Sequence, residues 1–195
     1  LDMVLNHCST GHEWFQKALA GDPYYQDFFF LRDEPTDWLS KFGGSAWAPF
    51  GDTGKYYLHL YDVTQADLNW HNPHVREELF KVVHFWLDKG VKGFRFDVIN
   101  VIGKDEILEN CPENDGKPAY TDRPIVHEYL HMLNEETFGT DEAIMTVGEM
   151  SATNIENCIL YTAPERHELS MAFNFHHLKV DYENGQKWTL KNFDF

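Results

Sequence analysis

Short apolar runs alternate with stretches of helical periodicity along the chain. Four runs rich in aliphatic and aromatic side chains predict buried β-strands, and they cover residues 1–5, 91–97, 143–147 and 171–175. Polar residues lie at or just beyond the end of each run: Asn6 and His7, Asp97, Glu149, and Asn174. Apolar strands of this kind are typical of parallel sheets that are covered on both faces.

Helical segments occupy the intervals between these runs. The clearest has Asn72 as a good N-cap, Pro73 at the first helical position and Gly90 at its end, with apolar residues recurring on one side. A second helix is predicted to open at Asp122 and Pro124 and to run to about residue 138, and a shorter one covers residues 154–161. Strands separated by helices predict an α/β fold with a parallel sheet and right-handed crossovers.

The polar residues at the strand ends are expected to lie together, because the carboxyl ends of parallel strands meet at one edge. In a (β/α)₈ barrel, or TIM barrel, that edge is the catalytic face. A doubly wound open sheet also binds ligands there, but no GxGxxG turn follows any of the predicted strands.

Residues 8–66 interrupt the alternation of strands and helices. They are irregular and rich in Gly, Asp, Pro and aromatic residues, with one plausible helix over residues 13–19 and a strand-like run over residues 56–60. The segment is too long for an ordinary βα loop, so we interpret it as an excursion with some structure of its own. The chain opens inside a strand pattern without an initiator Met, and we expect it to be a fragment.

The net charge of the chain disfavours two classes of binding partner, nucleic acids and anionic membranes. The 32 acidic and 16 basic residues give a formal net charge of −16, which repels phosphate backbones and anionic membranes. We therefore expect no nucleic-acid partner and no membrane partner, and no run approaches the length of a membrane span. Cys8, Cys111 and Cys158 do not form the pattern of a disulfide framework, which favours a reducing, cytoplasmic compartment.

Two carboxylates at predicted strand ends suit acid–base chemistry on a sugar. Arg95 and Asp97 point the same way from one strand, so the guanidinium should keep Asp97 ionised for a nucleophilic role. Glu149 has no Arg or Lys close by in sequence, which suits a proton donor. Adjacent strands lie ~5 Å apart, close to the roughly 5–5.5 Å between the carboxylates of retaining glycoside hydrolases. The alternative is a structural Asp97–Arg95 ion pair beside an unrelated loop carboxylate.

Residues 127–131 match the HExxH pattern of zinc proteases. His127 and His131 would share one helix face, with Glu128 as the base. No third ligand follows at a recognised spacing, so we expect no metal site. The apolar residues of this helix predict packing against the barrel wall: Val126, Tyr129, Leu130 and Leu133.

Four segments together resemble the signature regions of the α-amylase family, glycoside hydrolase family 13. They read DMVLNH over residues 2–7, QADLNW over 65–70, GFRFDV over 93–98 and VGE over 147–149. Their order and spacing agree with the family, and residues 8–66 fall where the family carries its B domain. The resemblance implies a fragment of a (β/α)₈ TIM barrel with three parts: residues 1–7 as strand 3, residues 8–66 as a B-domain-like excursion, and residues 67–195 as strands 4 to 6 with their helices.

The resemblance also implies roles for individual residues. Asp97 corresponds to the nucleophile and Glu149 to the general acid/base, while Arg95 orients the nucleophile and His7 donates to the sugar in the −1 subsite. Two further positions support these groups: Asp2 and Asn6. The family's third essential carboxylate has no counterpart here, so the chain alone is expected to be inactive. No organic cofactor is implied, and the calcium ion known in relatives binds at a loop outside this chain.

Finer features concern the substrate. Val98 after the nucleophile position and the QxDLN stretch resemble the oligo-1,6-glucosidases, whereas residues 168–182 resemble the group that hydrolyses trehalose 6-phosphate. His176, His177 and Lys179 in that run offer a basic patch for the phosphate. The resemblance thus implies a disaccharide substrate, α,α-trehalose 6-phosphate, cleaved to glucose and glucose 6-phosphate, with no obligate protein partner.

Three other functions stay open at this point. They are an oligo-1,6-glucosidase of the isomaltase type, a non-catalytic family-13-like binding subunit, and a transferase that passes the glucosyl group to a sugar instead of water. Loss of Asp97 or Glu149 would mark the binding subunit, and both residues are present. The sequence does not separate hydrolysis from transfer.

Overall fold

The structure, a computed structural model, describes residues 1–113, 115–175 and 183. The strands in these ranges are β1 (Asp2–Val4), β2 (His7–Ser9), β3 (Leu31–Arg32), β4 (Trp47–Pro49), β5 (Tyr56–Leu58), β6 (Gln65–Asp67), β7 (Gly93–Asp97), β8 (Met145–Met150) and β9 (Met171–Asn174). The α-helices are α1 (Glu13–Leu19), α2 (Pro23–Gln26), α3 (Pro73–Asp88), α4 (Pro124–Leu133) and α5 (Ile155–Thr162). Short 3₁₀ turns cover Ile99–Val101, Lys117–Ala119 and Pro164–Arg166.

One parallel sheet carries the strand ends. It contains β1, β7, β8 and β9 in chain order, and α3, α4 and α5 lie on the connections between them. Because each strand pairs with the next one along the chain, the topology is that of consecutive units of an α/β barrel. The predicted α/β fold with a parallel sheet is confirmed as part of a TIM barrel.

The helix after the excursion follows its predicted cap. The side chain of Asn72 accepts a hydrogen bond from the backbone N–H of His74 at 2.9 Å, and α3 begins at the next residue, Pro73. Val75, Leu79 and Val83 are buried on one face of the helix. The helix ends at Asp88, and Gly90 turns the chain with a φ of +85°.

The next helix, α4, begins at Pro124, one of the two residues predicted to open it. Arg123 occupies the N-cap position, and Asp122 lies just before it. Asp122 has a left-handed backbone with a φ of +50°, and its carboxylate accepts hydrogen bonds from side chains of other segments. The helix ends in a π-helical turn, Asn134–Phe138, so its predicted end is confirmed. Its buried face is the predicted one: Val126, Tyr129, Leu130 and Leu133.

The excursion folds as a small antiparallel unit that shares the core of the parallel sheet. The helix α1 has the predicted bounds, and β5 covers most of the predicted strand-like run. The strands β3, β5 and β4 form one sheet, and β2 pairs antiparallel with β6. The β2–β6 pair was not predicted. It spans both expected division points, after residue 7 and after residue 66, so this division of the chain stays a prediction.

No helix within residues 1–113, 115–175 and 183 is long and apolar enough to cross a membrane. The three cysteines, Cys8, Cys111 and Cys158, are free thiols.

Candidate active site

The strand register places Asp97 and Glu149 beside each other. Phe96 pairs with Gly148 in the parallel ladder of β7 and β8, and the two carboxylates come one residue later on each strand. Neighbouring strands lie ~4.8 Å apart. Gly148 allows this close packing, because a Cβ there would lie 2.6 Å from the side chain of Leu169. The sequence prediction that the two residues occupy adjacent strand ends is confirmed by this register.

Arg95 connects the carboxylates of three strands. Its Nη1 donates to Asp2 Oδ1 at 2.7 Å and to Asp97 Oδ1 at 2.8 Å, and its Nη2 forms an ion pair with Glu149. Burial opposes the charge on Arg95, but Asp2 and Asp97 more than offset it and raise the pKa of the guanidinium. We call Asp2, Arg95, Asp97 and Glu149 the Arg95 cluster.

The expectation that Glu149 has no cationic partner is wrong. Arg95 is 54 positions away in the sequence, but the register pairs it with Val147, two residues before Glu149. Side chains two residues apart on a strand point to the same face, so the guanidinium reaches along the ladder to the neighbouring carboxylate. Sequence proximity could not reveal this contact.

The Arg95 cluster is accessible and carries excess negative charge. The side chains of Arg95, Asp97 and Glu149 are 33%, 23% and 10% exposed. Three carboxylates face one guanidinium, so the cluster holds two uncompensated negative charges when all groups are ionised. Such a field favours positive charge that develops in a ligand during a reaction.

His7 lies close to this cluster at the start of β2. Its Nδ1 is 3.2 Å from Asn6 Nδ2 and its Nε2 is 3.1 Å from Gln65 Nε2. Burial lowers the pKa of His7 below the ordinary 6.5, against the opposing influence of Asp67 and Asp97. The imidazole is therefore held neutral near Asp97 at neutral pH.

A second charged group lies fully buried behind His7. Lys104 Nζ is 2.9 Å from Asp67 Oδ1 and donates to Asn6 Oδ1 and to the carbonyl of Val101, each at 2.9 Å. Asp67 also accepts from Asn6 Nδ2 at 2.9 Å and from the backbone N–H of Leu60 at 2.7 Å. Burial lowers the pKa of Lys104, with Asp67 acting against that shift. We call Asn6, Asp67 and Lys104 the Lys104 network.

The backbone turns sharply directly after Asp97. Val98 has φ +40° and ψ +40°, a left-handed conformation that β-branched residues rarely adopt. Strain of this kind costs about 1–3 kcal/mol and persists where the surroundings hold it, often at functional sites. Val98 is buried against Trp38, Leu60 and Tyr120, which hold it in place. The turn leaves the Asp97 carboxylate at the end of the strand.

The comparison with known proteins decides the family. The model of the alpha-amylase catalytic domain matches residues 1–195. The chain belongs to the alpha-amylase family. Its similarity to individual members extends from end to end, although it spans about 36% of the length of the curated relatives it matches.

Three relatives illustrate the range within the alpha-amylase family. The chain is 53% identical to a trehalose-6-phosphate hydrolase of Bacillus subtilis (strain 168) and 52% identical to one of Escherichia coli (strain K12), and each match covers 100% of this chain and 36% of the relative. An oligo-1,6-glucosidase of Parageobacillus thermoglucosidasius is 43% identical over 98% of this chain and 36% of its own length.

Solved structures agree with this placement. A crystal structure of Bacillus licheniformis trehalose-6-phosphate hydrolase superimposes with a TM-score of 0.93 and 55% identity, covering 99% of this chain and 36% of that protein. The isomaltulose synthase of Klebsiella sp. LX3 superimposes with a TM-score of 0.91 and 36% identity, covering 98% of this chain and 36% of that protein. The fold is therefore shared by family members with different activities.

The histidines of the HExxH pattern have other partners in this alpha-amylase domain. His127 Nδ1 is 2.8 Å from Glu168, and His131 Nδ1 is 3.0 Å from the carbonyl of Arg166. Among the residues that the structure describes, no three His, Cys, Asp or Glu side chains are grouped so that they could hold a metal ion. Within the described part of the chain, both imidazoles of the HExxH pattern thus form other contacts.

Some residues that the sequence singled out are not part of the Arg95 cluster, and others are not described by the structure. His176, His177 and Lys179 fall outside the described residues, so their proposed phosphate contact stays a prediction. Asn174, at the end of β9, places its Nδ2 3.5 Å from Cys158 Sγ.

Two features were missed by sequence reasoning. Lys104 was not distinguished from a surface lysine, since Asp105 and Glu106 follow it directly in the sequence. Asn100 was also overlooked: it is fully buried and joins Ser151 and Asp122. A polar residue between apolar neighbours was the local signal that marked Asn100, and it did not apply to Lys104.

Proposed function

We propose that a protein carrying this chain within a complete barrel is a retaining α-glucosidase. The observation that carries the proposal is the Arg95 cluster, in which Asp97 and Glu149 end adjacent parallel strands on either side of one guanidinium. Two carboxylates at this spacing suit a double displacement at a sugar carbon, because an inverting enzyme needs a wider gap for water.

Asp97 is the proposed nucleophile. Its carboxylate oxygen bonds to the anomeric carbon of the unphosphorylated glucose, and the bond from that carbon to the glycosidic oxygen breaks. Glu149 gives its proton to the departing oxygen, which leaves as a sugar hydroxyl. Water then adds to the anomeric carbon, gives a proton back to Glu149 and releases Asp97. The net reaction adds one water to one glycosidic bond.

Arg95 sets a condition on this cycle. A guanidinium beside a carboxylate favours its ionised form, so Glu149 must leave Arg95 before it can act as an acid. We propose that the bound sugar separates them and leaves Arg95 on Asp97, where the 2.8 Å hydrogen bond holds the nucleophile in position. The uncompensated negative charge of the cluster then stabilises the oxocarbenium-like transition state.

The proposed substrate is α,α-trehalose 6-phosphate, cleaved to glucose and glucose 6-phosphate. The 53% and 52% identities to trehalose-6-phosphate hydrolases, against 43% for an oligo-1,6-glucosidase, support this choice. Lys41 Nζ donates to Ser151 Oγ at 3.0 Å, and Ser151 lies two residues beyond Glu149. A cation there suits a phosphorylated leaving sugar. His176, His177 and Lys179 remain the predicted phosphate contacts.

The proposal requires no organic cofactor, because the two carboxylates supply the nucleophile and the proton. A cytoplasmic location and the absence of an obligate protein partner stay predictions from the sequence.

The test compares three substrates with the full-length protein. We expect glucose 6-phosphate release from trehalose 6-phosphate to exceed glucose release from isomaltose and from unphosphorylated trehalose at equal concentration. Proton NMR should find α-glucose as the first product, which marks retention. Preference for isomaltose would assign an oligo-1,6-glucosidase, and new oligosaccharides would assign a transferase. Binding without turnover would assign a non-catalytic subunit.

A further inference from the structure

An amide clamp joins the segments that follow β7 and β8. Asn100 lies three residues after Asp97, and Ser151 lies two residues after Glu149. The backbone N–H of Ser151 donates to Asn100 Oδ1 at 2.7 Å, and Asn100 Nδ2 donates to the carbonyl of Ser151 at 2.9 Å. One side chain thus pairs with both backbone groups of a single residue, as a neighbouring strand would.

Asp122 binds Asn100, the residue that forms the clamp. Its Oδ1 accepts from Asn100 Nδ2 at 2.8 Å, and its backbone N–H donates to the carbonyl of Asn100 at 3.1 Å. Three more donors come from the segment that connects β8 to β9, at 2.6 to 2.8 Å: Thr153 Oγ1, Asn157 Nδ2 and Tyr161 OH. The four side-chain donors occupy both carboxylate oxygens, so Asp122 ties the turn after Asp97 to the turn after Glu149.

The backbone at this clamp is strained on both sides. Val98, Asp122 and Ala152 have φ values of +40°, +50° and +55°. Val98 directly follows Asp97, and Ala152 directly follows Ser151. Left-handed residues other than glycine persist only where their surroundings determine them, and the clamp supplies bonds at each of these turns.

Asn100 acts through other residues and not on the sugar, because it is fully buried with its amide occupied. The neighbouring packing supports the same coupling of β7 and β8: a Cβ at Gly148 would lie 3.1 Å from Ile99 Cγ2. The turn after Asp97 is thus in contact with the strand that carries Glu149.

We infer that Asn100, held by Asp122, is a positioning residue that sets the separation and orientation of Asp97 and Glu149. The inference rests on the proposed function, since it presumes the nucleophile and acid/base roles. Retention requires carboxylates about 5–5.5 Å apart, and a misplacement of about 1 Å can cost ~10²-fold in rate. The clamp is the contact that fixes this geometry beyond the ends of the two strands.

The test exploits the leaving group. A disaccharide needs a proton from Glu149 to depart, whereas 4-nitrophenolate leaves without one. In the full-length protein, we expect Asn100→Ala and Asp122→Asn to lower kcat/KM for the best disaccharide about tenfold more than for 4-nitrophenyl α-glucoside. The double variant should lose less than the two single losses combined, because both residues act through one clamp.

A matched control separates positioning from general destabilisation. Asn134 Nδ2 donates to the carbonyl of Glu168 at 2.9 Å, in a segment that precedes β8 and lies apart from the strand ends. Asn134→Ala should lower thermal stability comparably but reduce kcat/KM for both substrates by the same factor. If Asn100→Ala also reduced kcat/KM for the two substrates by equal factors, the inference would be overturned.

Glu149→Gln distinguishes the two possible failures. If Glu149→Gln discriminates between the leaving groups and Asn100→Ala does not, the clamp has no positioning role and the proposed function stands. If Glu149→Gln does not discriminate, the acid role itself is wrong. Should Asn100→Ala fail to fold, Thr153→Val removes a single donor to Asp122. Thr153→Val should lower kcat/KM for the disaccharide relative to 4-nitrophenyl α-glucoside, but by a smaller factor than Asn100→Ala. An unchanged ratio of the two kcat/KM values would refute the inference.

Discussion

The Arg95 cluster and the Lys104 network lie close together but differ in balance and exposure. In the cluster, one guanidinium serves three carboxylates, and its side chains are 10% to 63% exposed. In the network, one ammonium faces one carboxylate, both side chains are fully buried, and the three ammonium donors have acceptors at 2.9 Å. His7 lies near both groups, since Asp97 and Asp67 both act on it.

The differences in exposure and charge balance indicate that the Arg95 cluster serves the reaction and the Lys104 network serves the fold. A charged group that is accessible and incompletely compensated can change partners when a ligand arrives. A buried pair with every donor and acceptor used cannot do so without leaving an unpaired charge in the interior. We therefore expect substitutions in the Arg95 cluster to affect rate and substitutions in the Lys104 network to affect stability.

The largest expected effect is on the rate of an Asp97→Asn variant of the full-length protein. Removing the proposed nucleophile should lower kcat by at least about 10⁴-fold, because the covalent step has no substitute. The free energy of unfolding in urea should change by less than about 1 kcal/mol, since the Arg95 pair is partly exposed. Near-normal turnover by Asp97→Asn would contradict the catalytic role that distinguishes the Arg95 cluster from the Lys104 network.

The next largest effect is on stability. Lys104→Met leaves Asp67 buried without its cation and should lower the free energy of unfolding in urea by about 3–5 kcal/mol. Lys81→Met is the matched control: Lys81 pairs with Glu78 at 2.6 Å on an exposed helix surface and should cost less than about 1 kcal/mol. Partial recovery is expected in Asp67→Asn/Lys104→Met. Equal losses for the two lysine variants would contradict a structural role for the network.

A smaller effect depends on pH. Burial lowers the pKa of His7, so below pH 6.5 the unfolded chain binds a proton that the folded protein resists. Stability should therefore fall as the pH drops below 6.5, by at most about 1.4 kcal/mol per pH unit from this residue. His7→Asn should remove that part of the slope. An unaltered slope in His7→Asn would show that its proton uptake does not differ between the two states.

The smallest effect is on a thiol beside the network. Burial, with Asp67 adding to it, raises the pKa of Cys8 to about 12. At pH 8 its thiolate fraction is then on the order of 10⁻⁴, so iodoacetamide should label Cys8 about a thousand times more slowly than an ordinary thiol. Mass spectrometry of tryptic peptides measures this, with Cys111 as the internal reference. Fast labelling of Cys8 would show that this side of the site opens to solvent.

Local patterns predicted the framework well. The helix α1 and the capped start of α3 depend on interactions within a few residues of each other. The buried face of α4 and the four parallel strands were indicated by local apolar patterns. Caps and apolar periodicity report such interactions directly. Asp122 shows what this reasoning does not reach: Pro124 opens the helix as predicted, but the carboxylate of Asp122 binds donors that lie far away in the sequence.

The sequence by itself therefore determined the strands of the parallel sheet, the main helices between them, and the adjacency of Asp97 and Glu149, because parallel strands in chain order leave little freedom of placement. It did not determine the short strands of the excursion. Only the tertiary structure decided which charges meet. Register across β7 and β8 brings Arg95 to Glu149, and folding of the excursion brings Asp67 to Lys104. Such pairs are separated by tens of residues, and their energies depend on burial and geometry that no local pattern encodes.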